Sequence, residues 1–459
     1  MARDVQCFRY ASLALAVLAA LASGCVSFDA EKARAAQTDD FTNRLAQASA
    51  ELLSRPLSLG DCVAIAMTNN YEVRKTDLDK ELARLGRKAS FSAFLPQVSA
   101  AAGYNIYQKD PQVSSKKFDT EELSVGLPLF MPSTWFLYAA AKHGYAMGEI
   151  AAHYTRQSIA LKVIDGYCDL IVQQDTVKAL EAQLKATSEN AERVRGLSKE
   201  GLVAAWEGEQ AGYLEDARRV QLNQARRQLS VLKARFLADL GLAPAKFELS
   251  GDISFGDGIL PVADDVRLDD LVLGALERHP LLSMADRQVV MKENAVRQAF
   301  CDFLPTLAGF GKETWSGNEV MTVTPNLVYG FNAAWKLFDG TAIAKYKSEK
   351  VEREKTSLER ENTFLSVIVN VAAAEAAWRD AGEVAAISRR AFEVAKAKFL
   401  DYDARSREGL VPLGDALDAR AAMDLAEVDF VKGKYRELCA KAALAFAAGT
   451  LPAPEAAGQ

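Results

Sequence analysis

The chain has 459 residues, is 49% hydrophobic and carries a formal net charge of −6. That mild acidity argues against a nucleic-acid partner, because phosphate binding needs a basic face. Its three histidines, His143, His153 and His279, do not pair at metal-ligand spacing, and there is no P-loop, GxGxxG, HExxH or CxxC pattern, so no metal, no cofactor and no enzymatic chemistry are expected.

Residues 1–24 read as a signal peptide. Arg3 and Arg9 supply positive charge, and the apolar run ASLALAVLAALA, residues 11–22, follows. The run is shorter than the roughly 20 residues a bilayer-spanning helix needs. It ends LASGC, which resembles a bacterial lipobox. The resemblance implies that Cys25 is acylated as the first residue of the mature chain, and that 25–58 is a lipid-anchored segment. Val26 follows the cysteine in place of the Asp that marks retention at the inner membrane. The alternative is an ordinary secretion signal with an unmodified cysteine. Cys62, Cys168, Cys301 and Cys439 are far apart in helical patterns. They read as small buried apolar residues, although in an oxidising compartment they could pair.

The remainder repeats itself. Shifted by 209 positions, LGDCVAIAMTNN from Leu59 meets LDDLVLGALERH from Leu268, and FSAFLP ending at Pro96 meets FCDFLP ending at Pro305. Nine of the 38 positions in 59–96 are identical to 268–305 without a gap. Shifted by 208, LFMPS at Leu129 meets LFDGT at Leu337, and EGLV at Glu200 meets EGLV at Glu408. The order is kept, so a duplication is expected. It gives a first unit over 59–245, a Gly-, Asp- and Pro-rich connector over 246–267, a second unit over 268–452 and a disordered tail over 453–459. The period is too long for a solenoid.

Each unit opens with a helical pattern: Val63, Ala66 and Met67, then Val73 onward toward Phe91. The pattern stops at FLP, where proline disfavours helix in the residue before it. From Gln97 the period changes to two. Val98, Ala100, Ala102, Tyr104 and Ile106 share one face; after a polar turn, Leu123, Val125, Leu127 and Leu129 alternate again. The second unit offers the Gly-rich 306–315 and then Leu327, Tyr329, Phe331, Ala333 and Trp335. These runs have about the 9–11 residues of a tilted membrane-spanning strand, and Tyr104, Tyr107, Trp315, Tyr329 and Trp335 are candidates for an aromatic girdle. Four strands cannot close a barrel, and an open edge in lipid leaves backbone groups unpaired. A spanning chain must therefore oligomerise, and three copies would supply 12 strands.

A long helix follows each hairpin, about 136–197 in the first unit. It carries two apolar stripes: Leu161, Ile164, Cys168 and Ile171, and Val163, Tyr167, Leu170, Val177 and Leu184, with Gln174 and Glu181 at the intervening heptad places. Both step by 3 and 4. Two seams suit a helix with a neighbour on each side, as in a closed ring, and also one in a solid bundle. A return helix runs from about 206 to 240, with Leu222, Ala225, Leu229, Leu232 and Phe236 in the same steps. Between the two helices Gly201 or Gly409 permits a positive φ, and Leu202, Val203, Leu410 and Val411 are expected to be exposed at a tip. Such residues suit docking or simply cap a coil.

The duplicated halves, FLP before each first strand, WKLFDG at 335–340 and G-L-V at both turns together resemble the TolC-type outer-membrane efflux proteins over nearly the whole mature chain. The resemblance implies a mainly α fold with a small β part: a trimeric 12-stranded transmembrane β-barrel continuous with a 12-helix coiled-coil α-barrel. It implies that Gly201, Leu202, Val203, Gly409, Leu410 and Val411 meet a periplasmic adaptor, although Glu200 and Glu408 stand where valine is common. It also implies that Asp415 and Asp418, six and nine residues after the second tip glycine, form carboxylate rings at a periplasmic gate. At i and i+3 they share a helix face, and such rings favour cations. The family's arginine two after that glycine is Val411 here, and its tyrosine three before is Ser406, which implies a different closure. The expected role is the outer-membrane duct of a tripartite export system, a homotrimer working with an adaptor and an inner-membrane transporter of RND or ABC type. It would be lipid-anchored in the bacterial outer membrane with its helices in the periplasm. The rival reading is a periplasmic coiled-coil scaffold without a pore.

Overall fold

The structure is a computed structural model and describes residues 29–108, 114–243, 247–250, 267–317 and 326–452. Cys25, the leader, most of the connector and the tail lie outside these. After α1 (Ala30–Leu52), two series of elements follow one another. The first is α2 (Leu59–Asn69), α3 (Tyr71–Ser92), β1 (Gln97–Ile106), β2 (Lys117–Phe130), α4 (Pro132–Lys199) and α5 (Ala205–Asp239). The second is α6 (Leu268–Arg278), α7 (Pro280–Cys301), β3 (Thr306–Ser316), β4 (Asn326–Ala334), α8 (Gly340–Arg407) and α9 (Leu413–Ala447). Both long helices have 68 residues and both return helices 35. At 1.5 Å per residue a long helix runs about 100 Å.

The opening helical pattern of each unit is two helices, not one. Asn70 is extended, with φ −62° and ψ 128°. Its Oδ1 accepts from the Glu72 and Val73 amides at 2.8 and 3.3 Å, and its Nδ2 donates to the Asp239 carbonyl at 2.7 Å. At the corresponding break His279 Nδ1 accepts from the Leu281 amide at 3.2 Å. Each side chain satisfies donors that a helix start leaves orphaned. The turn after each return helix closes onto this break. A Cβ on Gly241 would stand 2.3 Å from the Asn69 carbonyl oxygen, and one on Gly449 would stand 3.1 Å from His279 Cα. Both glycines also have positive φ, +74° and +71°.

The four strands form one antiparallel sheet in the order β1-β2-β3-β4. The polar stretch KFDTEE, read as turn, is the first part of β2. Its backbone pairs with Ala101–Ile106 of β1, from Ala101 with Glu122 to Ile106 with Lys117. One face carries Val98, Leu123, Val125, Leu127, Leu307, Tyr329, Phe331 and Ala333, with Glu121 and Glu313 toward the far end. The other is mostly polar: the Ser99 and Ser124 hydroxyls are 2.8 Å apart, and Lys312 meets Glu122 at 2.6 Å. Where helices enter the sheet, three rings pack in each half: Phe91, Phe94 and Tyr138, and Phe300, Phe303 and Tyr346. Tyr104, Tyr107 and Trp315 lie at the far end of the strands and Trp335 at the helix end, but Tyr329 sits mid-strand opposite Gly311. Among the described residues no helix is long and apolar enough to cross a membrane.

α3 packs on the sheet-proximal part of α4, and α5 on the rest; α7 and α9 do the same for α8. α4 also packs against α7 and α9, so each level of the shaft is four helices wide. The two stripes of α4 serve two neighbours. Tyr167 meets Phe236 of α5, with ring centroids 6.5 Å apart, while Cys168 contacts Cys439 of α9. The main core lies here, around the buried Tyr167, Ile164, Leu170, Phe236 and Leu240, with α2 laid over it. Truncating Phe236 to Ala would cost about 3–5 kcal/mol. The start of the connector is tied in as well: Leu57 pairs with Leu249 in a parallel bridge, and Phe247 stacks on Phe236. Cys62, Cys168 and Cys301 are buried and Cys439 half-buried, all as free thiols.

Candidate functional site

The ends of the two helical hairpins have the same backbone. Each long helix stops at a glutamate, and the next residue, Gly201 or Gly409, has φ +73°. The Gly201 amide donates to Ser198 O at 3.1 Å and the Leu202 amide to Leu197 O at 2.9 Å. The Gly409 amide donates to Ser406 O at 3.1 Å and the Leu410 amide to Arg405 O at 2.8 Å. This crossed pair of bonds is the Schellman arrangement. No atom lies within 4 Å of where a Cβ on either glycine would be, so backbone φ alone calls for glycine. The return helices start after Ala204 and Pro412, which are extended.

Leu202 is 67% exposed and Leu410 71%. Val203 and Val411 are only half-exposed. The expectation that all four point outward therefore holds for the leucines alone, because the chain turns at each valine into the return helix. Asp415 lies in the first turn of α9, where the helix dipole favours an acid. Asp418 is one turn further; both are exposed, while Ala416 and Ala419 beside them are buried. Asp424 is half-buried, and burial raises its carboxyl above the usual aspartate range, against Arg420.

Apolar periodicity carries no hint of what braces the first tip. Glu215 on α5 takes the Arg195 guanidinium of α4, Arg219 at 2.8 Å and the Ser188 hydroxyl at 3.2 Å. Burial pushes the Glu215 carboxyl up, but Ser188, Arg195 and Arg219 outweigh it and hold it below the ordinary glutamate value. Further along, Arg226 reaches Glu181 at 2.7 Å. At the second tip Arg405 pairs with Asp401 at 3.1 Å and Arg407 with Asp403 at 2.6 Å, both along α8.

A chain with paired shafts, exposed leucine tips and a four-stranded sheet at the far end can be compared with known proteins. The sequence profile of the outer membrane efflux protein family matches residues 63–238 and 271–450. The chain belongs to that family. Among curated proteins, outer membrane protein TolC of Vibrio cholerae is 23% identical over 139 residues, 30% of this chain and 32% of that relative's length. Among solved structures, the CmeC outer membrane channel of Campylobacter jejuni superposes with a TM-score of 0.71 at 17% identity, covering 85% of each chain. The open-state MtrE outer membrane channel of Neisseria gonorrhoeae gives 0.70 at 17% identity, covering 86% of this chain and 90% of that one. The efflux-family fold therefore spans nearly all the described residues, tips and sheet included.

Proposed function

We propose that this chain is the outer-membrane exit duct of a tripartite efflux or secretion system, anchored through acylated Cys25. The observation that carries the reading is the sheet. Its edges, β1 and β4, are open, and one face is apolar over the helix-proximal part of the strands, giving way to Glu313, Glu121 and Asp119 toward their far ends. Because all its pairings are antiparallel, β4 of one copy runs antiparallel to β1 of the next, and copies can close into a ring without an edge. Three copies give the 12 strands and 12 helices that the family resemblance implies. Trp335 lies one residue beyond the Thr306–Ala334 pair. Along β3 it is therefore ten residues from Trp315, about 33 Å at 3.3 Å per residue. That fits aromatic belts on the two sides of an apolar band.

In this reading the shafts form a periplasmic tunnel. The Leu202 and Leu410 tips dock a periplasmic adaptor, and Asp415 and Asp418 ring the entrance. The duct does no chemistry; an inner-membrane transporter of RND or ABC type supplies the energy. Its cargo is small amphiphiles or drugs, with metal ions and secreted proteins as alternatives. Single-channel current in a planar bilayer under asymmetric salt tests this. Small cation-selective steps are expected, with selectivity weakened by Asp415→Asn together with Asp418→Asn. Well-folded trimers that stay silent, with and without those substitutions, would sink the duct.

A further inference from the structure

Two of the cysteines stand in one core. Cys168 is on α4 and Cys439 on α9, and Cys439 packs against the core cluster that holds Cys168. The helix register brings them within about one turn of each other. α4 and α9 run antiparallel, and Gln183 Nε2 donates to Ala421 O at 3.4 Å while Gln157 Nε2 donates to Leu451 O at 2.7 Å. Cys168 and Cys439 both fall a little over halfway between those two bonds. Cys168 is 3% exposed within the main core, and Cys439 packs on that core from its rim. On its other side Cys439 lines a shallow cleft with Asp165, Asp380 and Arg436. Neither remaining described cysteine has such a partner: Cys62 is on α2 and Cys301 at the end of α7.

We infer that Cys168 and Cys439 are joined as a disulfide in the working protein, stapling the long helix of the first half to the return helix of the second. The inference rests on the exit-duct reading for its compartment, since disulfides form and persist outside the cytoplasm. The oxidant is a disulfide, carried by an oxidase or a small molecule of that compartment. One cysteine thiolate attacks a sulfur of the donor disulfide, forming a mixed disulfide and releasing one donor thiol. The second cysteine displaces the other donor thiol, so two protein thiols and one donor disulfide become one protein disulfide and two donor thiols. Contact with Cys168, burial and the Asp165 carboxylate all push the Cys439 thiol up. Thiolate is therefore scarce once the helices have packed, and the bond forms while the chain folds.

The staple leaves the entrance free. Cys439 is 21 residues from Asp418 along α9, about 31 Å at 1.5 Å per residue. Any movement of the second hairpin must pivot on the tip side of the bond.

The test is a thiol map of the protein purified from its own membranes, alkylated in denaturant without reductant, digested and weighed. The expected product joins the Cys168 peptide to the Cys439 peptide and leaves Cys62 and Cys301 alkylated; reductant should then lower the melting temperature of the protein but not of Cys439→Ala. Singly alkylated Cys168 and Cys439 peptides from protein that fractionates with the outer membrane would overturn the bond and leave the duct standing. A chain retained in the cytoplasm of the same cells would overturn both.

Discussion

The two helical hairpins share one backbone and are held shut in different ways. Their turns match to within a few tenths of an ångström in hydrogen-bond length, with φ +73° at each glycine. Inside the first hairpin Val177, Leu222 and Ala225 are buried, with Leu184 beside them. At the matching places in the second, Phe392 and Phe430 stack at 5.8 Å, and Gly433 lets α9 approach Ala385 of α8. Near the tip the first hairpin is clamped by charges that cross between helices. Among the described residues, Asp401, Asp403, Arg405 and Arg407 of the second tip reach only each other. The comparison separates two jobs. Glycine and helix length set the path of the chain, and side chains on the facing stripes set how firmly each hairpin closes. The second hairpin, which carries Asp415 and Asp418, has the fewer cross-helix charges at its tip.

The largest test concerns the glycines that end the return helices. Gly241→Ala adds a Cβ onto a carbonyl at 2.3 Å as well as strain at φ +74°, and should cost about 3–5 kcal/mol. Gly449→Ala has the same kind of strain at φ +71° but meets its neighbours, His279 and Pro280, no closer than 3.1 Å, and should cost about 1–3 kcal/mol. Denaturant melts of the pair measure the gap, and equal losses would mean the two junctions are not packed as described.

A smaller effect is expected at the clamp. Glu215→Gln should raise amide exchange across 190–215 toward the level of 398–418, with Asp403→Asn changing little. Acid should do the same. The folded Glu215 carboxyl lies below its ordinary value, so the clamp is complete above about pH 4.3 and fades as pH falls through the folded value. Exchange at the first tip that is indifferent to acid would remove the clamp from the comparison.

The smallest effect on stability is at the tips. Leu202→Ser and Leu410→Ser remove exposed side chains and should change stability by no more than about 0.5 kcal/mol. Each should nonetheless weaken cross-linking to a co-expressed adaptor. A large loss of stability would show that the leucines serve the turn and not a partner.

Much of this was legible in the sequence. Period-two runs located β1, the second half of β2 and β4, a Gly-rich run marked β3, and the 3,4 stripes located α4 and α5 to within a few residues. Glycine between two such patterns located both tips. Other features hid for physical reasons. The first half of β2 is polar because its pairing is made by backbone, so KFDTEE resembles a turn. Asn70 breaks a helix inside continuing apolar periodicity, since a cap acts through one side chain and leaves the stripe intact; at the matching break Pro280 after His279 is a visible signal that the helical pattern alone passes over. The Arg195–Glu215 clamp and the Cys168–Cys439 contact join residues 20 and 271 positions apart, a relation only the folded hairpins reveal.

The open sheet edges have a genetic consequence. In the proposed ring the seam joins two different edges, β4 of one copy to β1 of the next, so the contact is heterologous. A variant with a damaged edge still offers a sound one and can enter a ring that it then leaves unsealed. Co-expressed in equal amounts with the unaltered chain, it would leave only about one ring in eight wholly unaltered. Lesions at β1 or β4 should therefore be dominant, and a second change that rescues one should be found on the opposite edge of the same gene product.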